Sequence, residues 1–478
     1  MRSREPRLWS NDAGASWRRV AALVDANGIA QTVMVQLTGG VFLTGLALAL
    51  GANAIAIGVL AALPLASKLS QLVLSWWIER AGRWRRWAIA SASVARIALI
   101  AVPVLVLAPG PAPIRLTMLI IVMGVSALAG AVFELSFLTW LAELIPEPLR
   151  GVFWGRRGRN AGVVGTIASI LAAIRLDQSP TASSSKHGFA LVFGAGAILG
   201  LVGVLFLQQL PQPRRRETRT QPLDLTTALR APLRDKNYRT MLVFSAWWSF
   251  ASGYMAPFYM VYMLRTLGLS FLAVTLLTTI TNTIMALTQT RWGTLGDHFG
   301  TKPVLRIGSY LIACTPVLWL ISAPGRVWPV IIVEVLSGVG WSAYHVSLSN
   351  LALKLAPDDS RPSYLGAFGA FSGVAEGMAP LISGALLTVL AASPTPTLGE
   401  FRAMMIVQLV LFGVATIVPQ WIREPRGTAV GHLIRVVARF QAMDSSRPVS
   451  LIFEYGYTHL ARIADLIARE FPRDAEPI

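Results

Sequence analysis

Twelve apolar runs dominate this chain, near residues 29–50, 54–78, 87–108, 116–141, 152–174, 188–210, 241–264, 270–292, 304–322, 327–350, 363–390 and 402–421. Each reaches or approaches the roughly 20 mostly apolar residues that cross a bilayer core as a helix. In lipid every backbone polar group must be satisfied internally, so a many-crossing chain of this kind is a helical bundle. The composition agrees: of 478 residues 54% are hydrophobic and only 14% are charged, where a soluble protein carries about a quarter charged. The expected fold class is therefore an all-α membrane protein with twelve transmembrane helices. The run at 152–174 fits least well, because Arg156, Arg157 and Arg159 crowd its start.

The basic residues orient these spans. Clusters fall in alternate connections: Arg80, Arg83, Arg85 and Arg86; then Arg150, Arg156, Arg157 and Arg159; then 211–240; then Lys302 and Arg306; then Lys354 and Arg361. The intervening loops carry one or two each, such as Arg115, Arg175, Arg265 and Arg326. The positive-inside rule then places both chain ends in the cytoplasm. It also accounts for the net charge of +18, so nucleic acid is not an expected partner. The first 26 residues are polar and basic, with no short apolar stretch before a cleavage site, so the first run is expected to be retained as a helix. Arginine exceeds lysine 37 to 5, a balance that suggests a GC-rich bacterial genome and hence a bacterial inner membrane.

A basic, Pro-containing stretch divides the runs six and six. The expected organisation is a cytoplasmic segment 1–26, a six-helix bundle 27–210, a linker 211–240, a second six-helix bundle 241–422 and a cytoplasmic tail 423–478. The tail is too polar to span. Leu433, Val436, Val437 and Phe440, and again Leu460, Ile463, Ile467 and Phe471, make apolar stripes suited to the inner leaflet or to the protein's own loops. The two bundles match. At an offset of 218, Glu79 and Gly82 meet Asp297 and Gly300, and Gln71 meets Gln289; at an offset of 211, Pro146 and Arg150 meet Pro357 and Arg361. Two pseudo-symmetric six-helix bundles in the same orientation place a binding site at their interface, near the bilayer midplane.

At these loops the chain resembles the major facilitator superfamily (MFS) of secondary transporters. Gly293, Asp297, Gly300 and Lys302 stand as that family's signature between helices eight and nine. The first-half copy, Glu79, Arg80, Gly82 and Arg83, has lost its first glycine. The resemblance covers about 25–422. It implies transport of a small solute by alternating access, driven by an ion gradient with the proton as the expected coupling ion, in a monomer in contact with membrane lipid. It also implies that the loop acid holds a cytoplasmic gate, with Gly293 allowing close helix approach. Two exporter features are missing: Ile120 stands where an arginine precedes Gly124, and helix five lacks a proline after Gly162-Val-Val-Gly165. An alternative reading keeps the fold but not the transport, as a membrane protein with a binding or assembly role. No metal cluster, phosphate-cradling loop or catalytic triad is evident, so neither a cofactor nor an enzymatic reaction is expected.

Ionisable residues inside spans cost a few kcal/mol or more and are candidate site residues. Lys68, Arg96 and Glu134 lie about ten residues from the cytoplasmic ends of their helices, and Glu376 lies at a similar depth. Lys68 with Glu376 would pair across the two halves, whereas Lys68 or Arg96 with Glu134 would pair within one. Glu334 and His345 are three turns apart on helix ten, the first replaceable in role by a bond to a neighbouring hydroxyl, the second by simple packing. Gln36, Gln71, Gln289, Asn282 and Tyr254 either contact a solute or bond helix to helix. The glycines at 366, 369, 373 and 377 are read as close packing and bending of helix eleven.

Overall fold

The computed structural model describes residues 11–64, 67, 84–145, 147–178, 182–211, 231–357, 360–390 and 397–424. Among these, ten helices are long and apolar enough to span a membrane. The short apolar helix Ala54–Pro64 and the helix Lys236–Val261 bring the spans to twelve. The latter is less apolar than the others because tryptophans, tyrosines and serines are interspersed along it. The chain is therefore the expected all-α membrane protein.

The first span is two pieces, α1a (Asn11–Thr38) and α1b (Gly40–Ala49). Gly40 separates them with φ +51, a left-handed conformation that glycine adopts without steric cost. Then follow α2 (Ala54–Pro64), α3 (Trp84–Leu107), α4 (Ala112–Leu144), α5 (Glu147–Asp177) and α6 (Ala182–Gln208). The second half has α7 (Lys236–Val261), continued by a π turn at Tyr262–Thr266, then α8 (Phe271–Phe299) and α9 in two pieces, Thr301–Ala313 and Thr315–Ile321. It ends with α10 (Trp328–Leu355), α11 (Arg361–Leu390) and α12 (Leu398–Ile417), which closes in a 3-10 turn at Val418–Trp421. The doubtful fifth run is thus one continuous 31-residue helix. Its arginines are not a loop cluster but lie inside the helix.

Within the first half α3 packs on α4 and α6, and α1a on α5 and α6; within the second, α7 packs on α11, and α10 on α8 and α9. Helix backbones meet at glycines. A Cβ at Gly308 would stand 2.8 Å from the Gly340 carbonyl oxygen, and one at Gly338 2.8 Å from that of Thr281. Without a hydrophobic drive between helices in lipid, such close approach supplies much of the association energy.

The halves meet at one end. We call the end carrying the arginine-rich connections the basic end and the other the far end. At the far end a Cβ at Gly58 of α2 would lie 2.3 Å from the Pro380 carbonyl oxygen of α11, and one at Gly384 would lie 2.7 Å from that of Ala54. Phe271 of α8 fills the space over Gly45, edge-on to Phe189 at 5.8 Å between centroids. Asp177, the last residue of α5, accepts the backbone N–H groups of Phe271 and Leu272 at 2.8 and 2.9 Å, so a first-half carboxylate caps a second-half helix. Arg265 donates to the Leu48 carbonyl at 3.1 Å.

At the basic end the described residues of the two halves stand apart. Among them nothing lies within 4 Å of where a Cβ would be at Gly155, Gly158 and Gly162 of α5, or at Gly366, Gly369 and Gly373 of α11. The expected close packing is therefore corrected for Gly366, Gly369 and Gly373 among the described residues. The two triplets are related by the same offset of 211 that relates the loops before them. They are bare because each faces the gap between halves.

Candidate functional site

The gap narrows into a cavity of about 710 Å³, lined by α1, α2, α3, α4 and α5 and closed across the seam by α7 and α11. Gly39 and Gly40, where the first span unwinds, are part of its wall. Broken backbone at membrane depth belongs beside such a cavity, where its polar groups do not face lipid. From α7 come Gly253, Ala256, Pro257 and Met260, and from α11 Glu376 and Pro380.

Its polar groups are concentrated in the first half. Glu134 lines the wall and is exposed to it. Arg96 also lines it yet is only 2% exposed. Its Nη1 donates to the Ala92 carbonyl at 3.1 Å, and its guanidinium lies 4.4 Å from the centre of the Phe133 ring. Arg96 makes no ion pair among the described residues, so the Arg96–Glu134 pairing does not form. Arg157 enters from α5, with Nε donating to the Val24 carbonyl at 3.4 Å and the guanidinium over Trp154 at 5.2 Å and Phe137 at 5.8 Å. Gly28 makes room for it: a Cβ there would stand 2.4 Å from Arg157 Nε. Sequence reasoning assigned Arg157 to a cytoplasmic cluster because it started the fifth helix at 152. Counted from the true start at Glu147, Arg157 is ten residues in, the depth already noted for Arg96 and Glu134.

The other candidates sort differently. Glu376 lines the cavity, and its backbone packs on Gly253, whose Cβ would lie 2.9 Å from the Glu376 carbonyl oxygen. Glu334 is 8% exposed and turns toward α8, where the Thr281 hydroxyl donates both to its carboxylate and, at 2.9 Å, to its carbonyl. It is a helix-bonding group outside the cavity wall. His345 stacks on Trp341 at 5.3 Å and meets Tyr344 edge-on, in an aromatic group with Trp248. Gln36 accepts from the Ser169 hydroxyl at 2.9 Å beside Gly165, which joins α1a to α5. Tyr254 is buried, its hydroxyl 3.1 Å from Met404 Sδ.

On α8, Phe271 marks the side that meets the first half. Asn282 and Gln289 follow it by 11 and 18 residues, close to three and five whole turns, and both are exposed. They therefore carry the same face from the seal toward the basic end. Lys68, Gln71, Glu79, Arg80, Gly82 and Arg83 lie outside the described residues.

The signature between α8 and α9 has an unexpected acid. Gly300 turns the chain with φ +95, as expected for that glycine. Asp297, however, is exposed and makes no hydrogen bond or ion pair among the described residues. Gly293 is not closely approached: a Cβ would meet only Val346 Cγ1 at 3.8 Å. The N-terminus of α9 is capped instead by Glu424, which accepts from the Thr301 and Lys302 N–H groups at 2.9 and 2.7 Å and pairs with Lys354 at 3.3 Å. Burial opposes charge on Glu424, but these donors and the Lys354 ammonium outweigh it and hold its carboxyl below the usual range. Lys302 Nζ donates to the carbonyls of Gln420 and Ile422 at 2.9 and 2.7 Å, tying α9 to the end of α12. No sequence pattern singled out Glu424, because it follows the last apolar run and pairs with a loop over a hundred residues away.

Comparison places this arrangement. Residues 242–452 match the family model described as the Major Facilitator Superfamily. No curated protein matches the chain. Among solved structures, the nucleoside transporter NupG shares 14% identity and superposes with a TM-score of 0.60, over 84% of this chain and 98% of that one. The xylose transporter XylE from E. coli, in an inward open conformation, shares 15% with a TM-score of 0.62, over 87% and 99%. A bacterial homologue of the human lysosomal transporter Spinster, inward-facing and unoccupied, shares 14% with a TM-score of 0.63, over 85% and 96%. Fold and cavity define a two-bundle helical membrane protein with a cavity on the seam between bundles. The family match covers the second half of the chain, and the likeness to these solved structures is one of fold.

Proposed function

We propose that this chain moves a small solute across a bacterial cytoplasmic membrane by alternating access, as a monomer with its basic end and both termini in the cytoplasm. The observation that carries the reading is the cavity on the seam between halves, sealed at the far end and open at the basic end. A site reached from one side at a time is what a rocking two-bundle transporter requires. Arg96, Arg157, Glu134 and Glu376 on its wall favour a solute site over a purely apolar assembly surface. With no nucleotide-binding loop in the sequence, the driving force is a gradient. The proton is the coupling ion in this reading, with Glu134 and Glu376 as its carriers, since Glu334 is bonded to Thr281 away from the wall.

The test is a distance measurement on reconstituted protein. One spin-label pair sits at far-end turns, at Asn53 and Leu269. The other sits at the basic end, at Leu144 and Leu355. Two populations are expected, in which the first distance grows as the second shrinks. A single population for both pairs under all gradients and solutes would overturn alternating access.

A further inference from the structure

Among the described residues, Arg96 is a cation buried without an anion. Of its guanidinium groups only Nη1 has a hydrogen-bond acceptor, and Nε is buried with none. A charge removed from water is tolerated when it is paired, and a ring face compensates only part of that loss. Arg157 is half-buried and, among the described residues, has no carboxylate of its own to bond. Its electrostatic neighbour Asp25 is itself held by Arg156 at 2.8 Å. Glu134 and Glu376 have polar or electrostatic contacts of their own, and neither is bonded to Arg96 or Arg157.

The two arginines are linked by one aromatic platform. Phe133 and Phe137 are a helical turn apart on α4 and stack with centroids 5.1 Å apart. Arg96 lies over the first and Arg157 over the second. Both rings and both guanidiniums belong to the cavity wall, as does Trp154. The rest of that wall is largely apolar, with Met34, Leu99, Met123 and Met260. Fork-shaped guanidinium donors suit a carboxylate or phosphoryl oxygen pair, while the rings and methionines suit an apolar body.

From this geometry we infer that the solute is a small organic anion with an apolar or aromatic body, its headgroup taken by Arg96 and Arg157. The inference rests on the transport reading and adds the substrate class to it. The two guanidiniums offer their donors to an anionic headgroup and so select against neutral and cationic analogues of equal size.

The experiment uses the full chain purified in nonionic detergent and follows its melting temperature. The probes are 3-phenylpropionate and phenylphosphonate, with 3-phenylpropionamide and 3-phenylpropylamine as the neutral and cationic counterparts. A saturable stabilisation by the anions, at least tenfold weaker or absent with the amide and amine, is expected. The carboxylate and phosphonate arms decide which oxygen pair is preferred. Arg96→Gln and Arg157→Gln each weaken anion binding at least tenfold, while Arg96→Lys retains part of it. Arg157 is only half-buried, so its variant keeps the test open should Arg96→Gln not fold. Equal stabilisation by the amide or amine, unchanged anion binding in both glutamine variants, or no binding by either anion would each overturn the inference. Alternating access itself stands or falls separately, on the spin-label distances.

Discussion

The two ends of the seam between halves are built from the same residue types and do opposite things. At the far end, glycines carry contacts: Gly58, Gly384 and Gly45 each receive an atom of the other half where a Cβ would clash. At the basic end, Gly155, Gly158 and Gly162 and their counterparts Gly366, Gly369 and Gly373 receive nothing from the described residues. A side chain of one hydrogen is a seat at one end and a vacancy at the other. The difference teaches that the glycine pattern encodes which surfaces are able to meet, and the conformation decides which of them do. The acids divide likewise. Asp177 caps a helix of the opposite half, whereas Glu424 caps a helix of its own half.

The strongest test of this contrast is Gly58→Val. The branched side chain cannot coexist with the Pro380 carbonyl, and overpacking of this kind costs about 1–3 kcal/mol or more. Because the cost falls only on the sealed far end, the conformational equilibrium is expected to shift by roughly 5- to 150-fold away from that state. Thiol labelling of a cysteine placed at Asn53 reads the shift. Unchanged labelling would mean that the far-end contact is dispensable.

Removing the cross-seam cap is expected to do less. Asp177→Ala deletes two hydrogen bonds to the start of α8 and the helix-dipole interaction, about 1–2 kcal/mol in sum. Far-end labelling should rise by about tenfold without loss of overall thermal stability. A fall in stability with no change in labelling would make Asp177 a cap for α8 alone.

Glu424→Gln provides the opposite outcome, about 1 kcal/mol of stability lost from the second half with far-end labelling untouched. The pH dependence sharpens it. A carboxyl held below its ordinary value contributes stability fully present above the unfolded value of about 4.3, and that contribution is lost as pH falls through the lowered folded value. The variant's melting temperature should therefore converge with that of the parent protein in acid. A constant difference down to low pH would show that Glu424 acts by shape and not by charge.

Gly369→Ala is the smallest expected effect. With nothing near the new methyl group, stability should change by less than about 0.5 kcal/mol, yet transport should fall if closing the basic end brings another helix onto that triplet. A large loss of stability would show that the triplet is already packed in this state.

Much of this was legible beforehand. The twelve spans, the division into two sixes and the turn at Gly300 follow from local pattern, since run length, basic clusters and repeated loops are written in consecutive residues. The depth of Arg96, Glu134 and Glu376 was also countable along single helices. Which of the intramembrane polar groups face the cavity was not. Glu334 and Glu376 look alike in sequence, but α11 reaches the cavity wall and α10 does not, and Glu334 is bonded to Thr281 of α8 instead. Arg157 was hidden by a helix boundary set five residues late.

By itself, then, the sequence determined that this is a helical membrane protein of two matched bundles, because hydropathy and charge act residue by residue along the chain. Tertiary structure alone decided that the described residues close the seam at the far end and stand apart at the basic end. It also decided that two arginines share a phenylalanine platform and that Glu424, in place of Asp297, caps α9. The reason is physical: each of these depends on side chains dozens to hundreds of residues apart, whose energies exist only once the helices have packed.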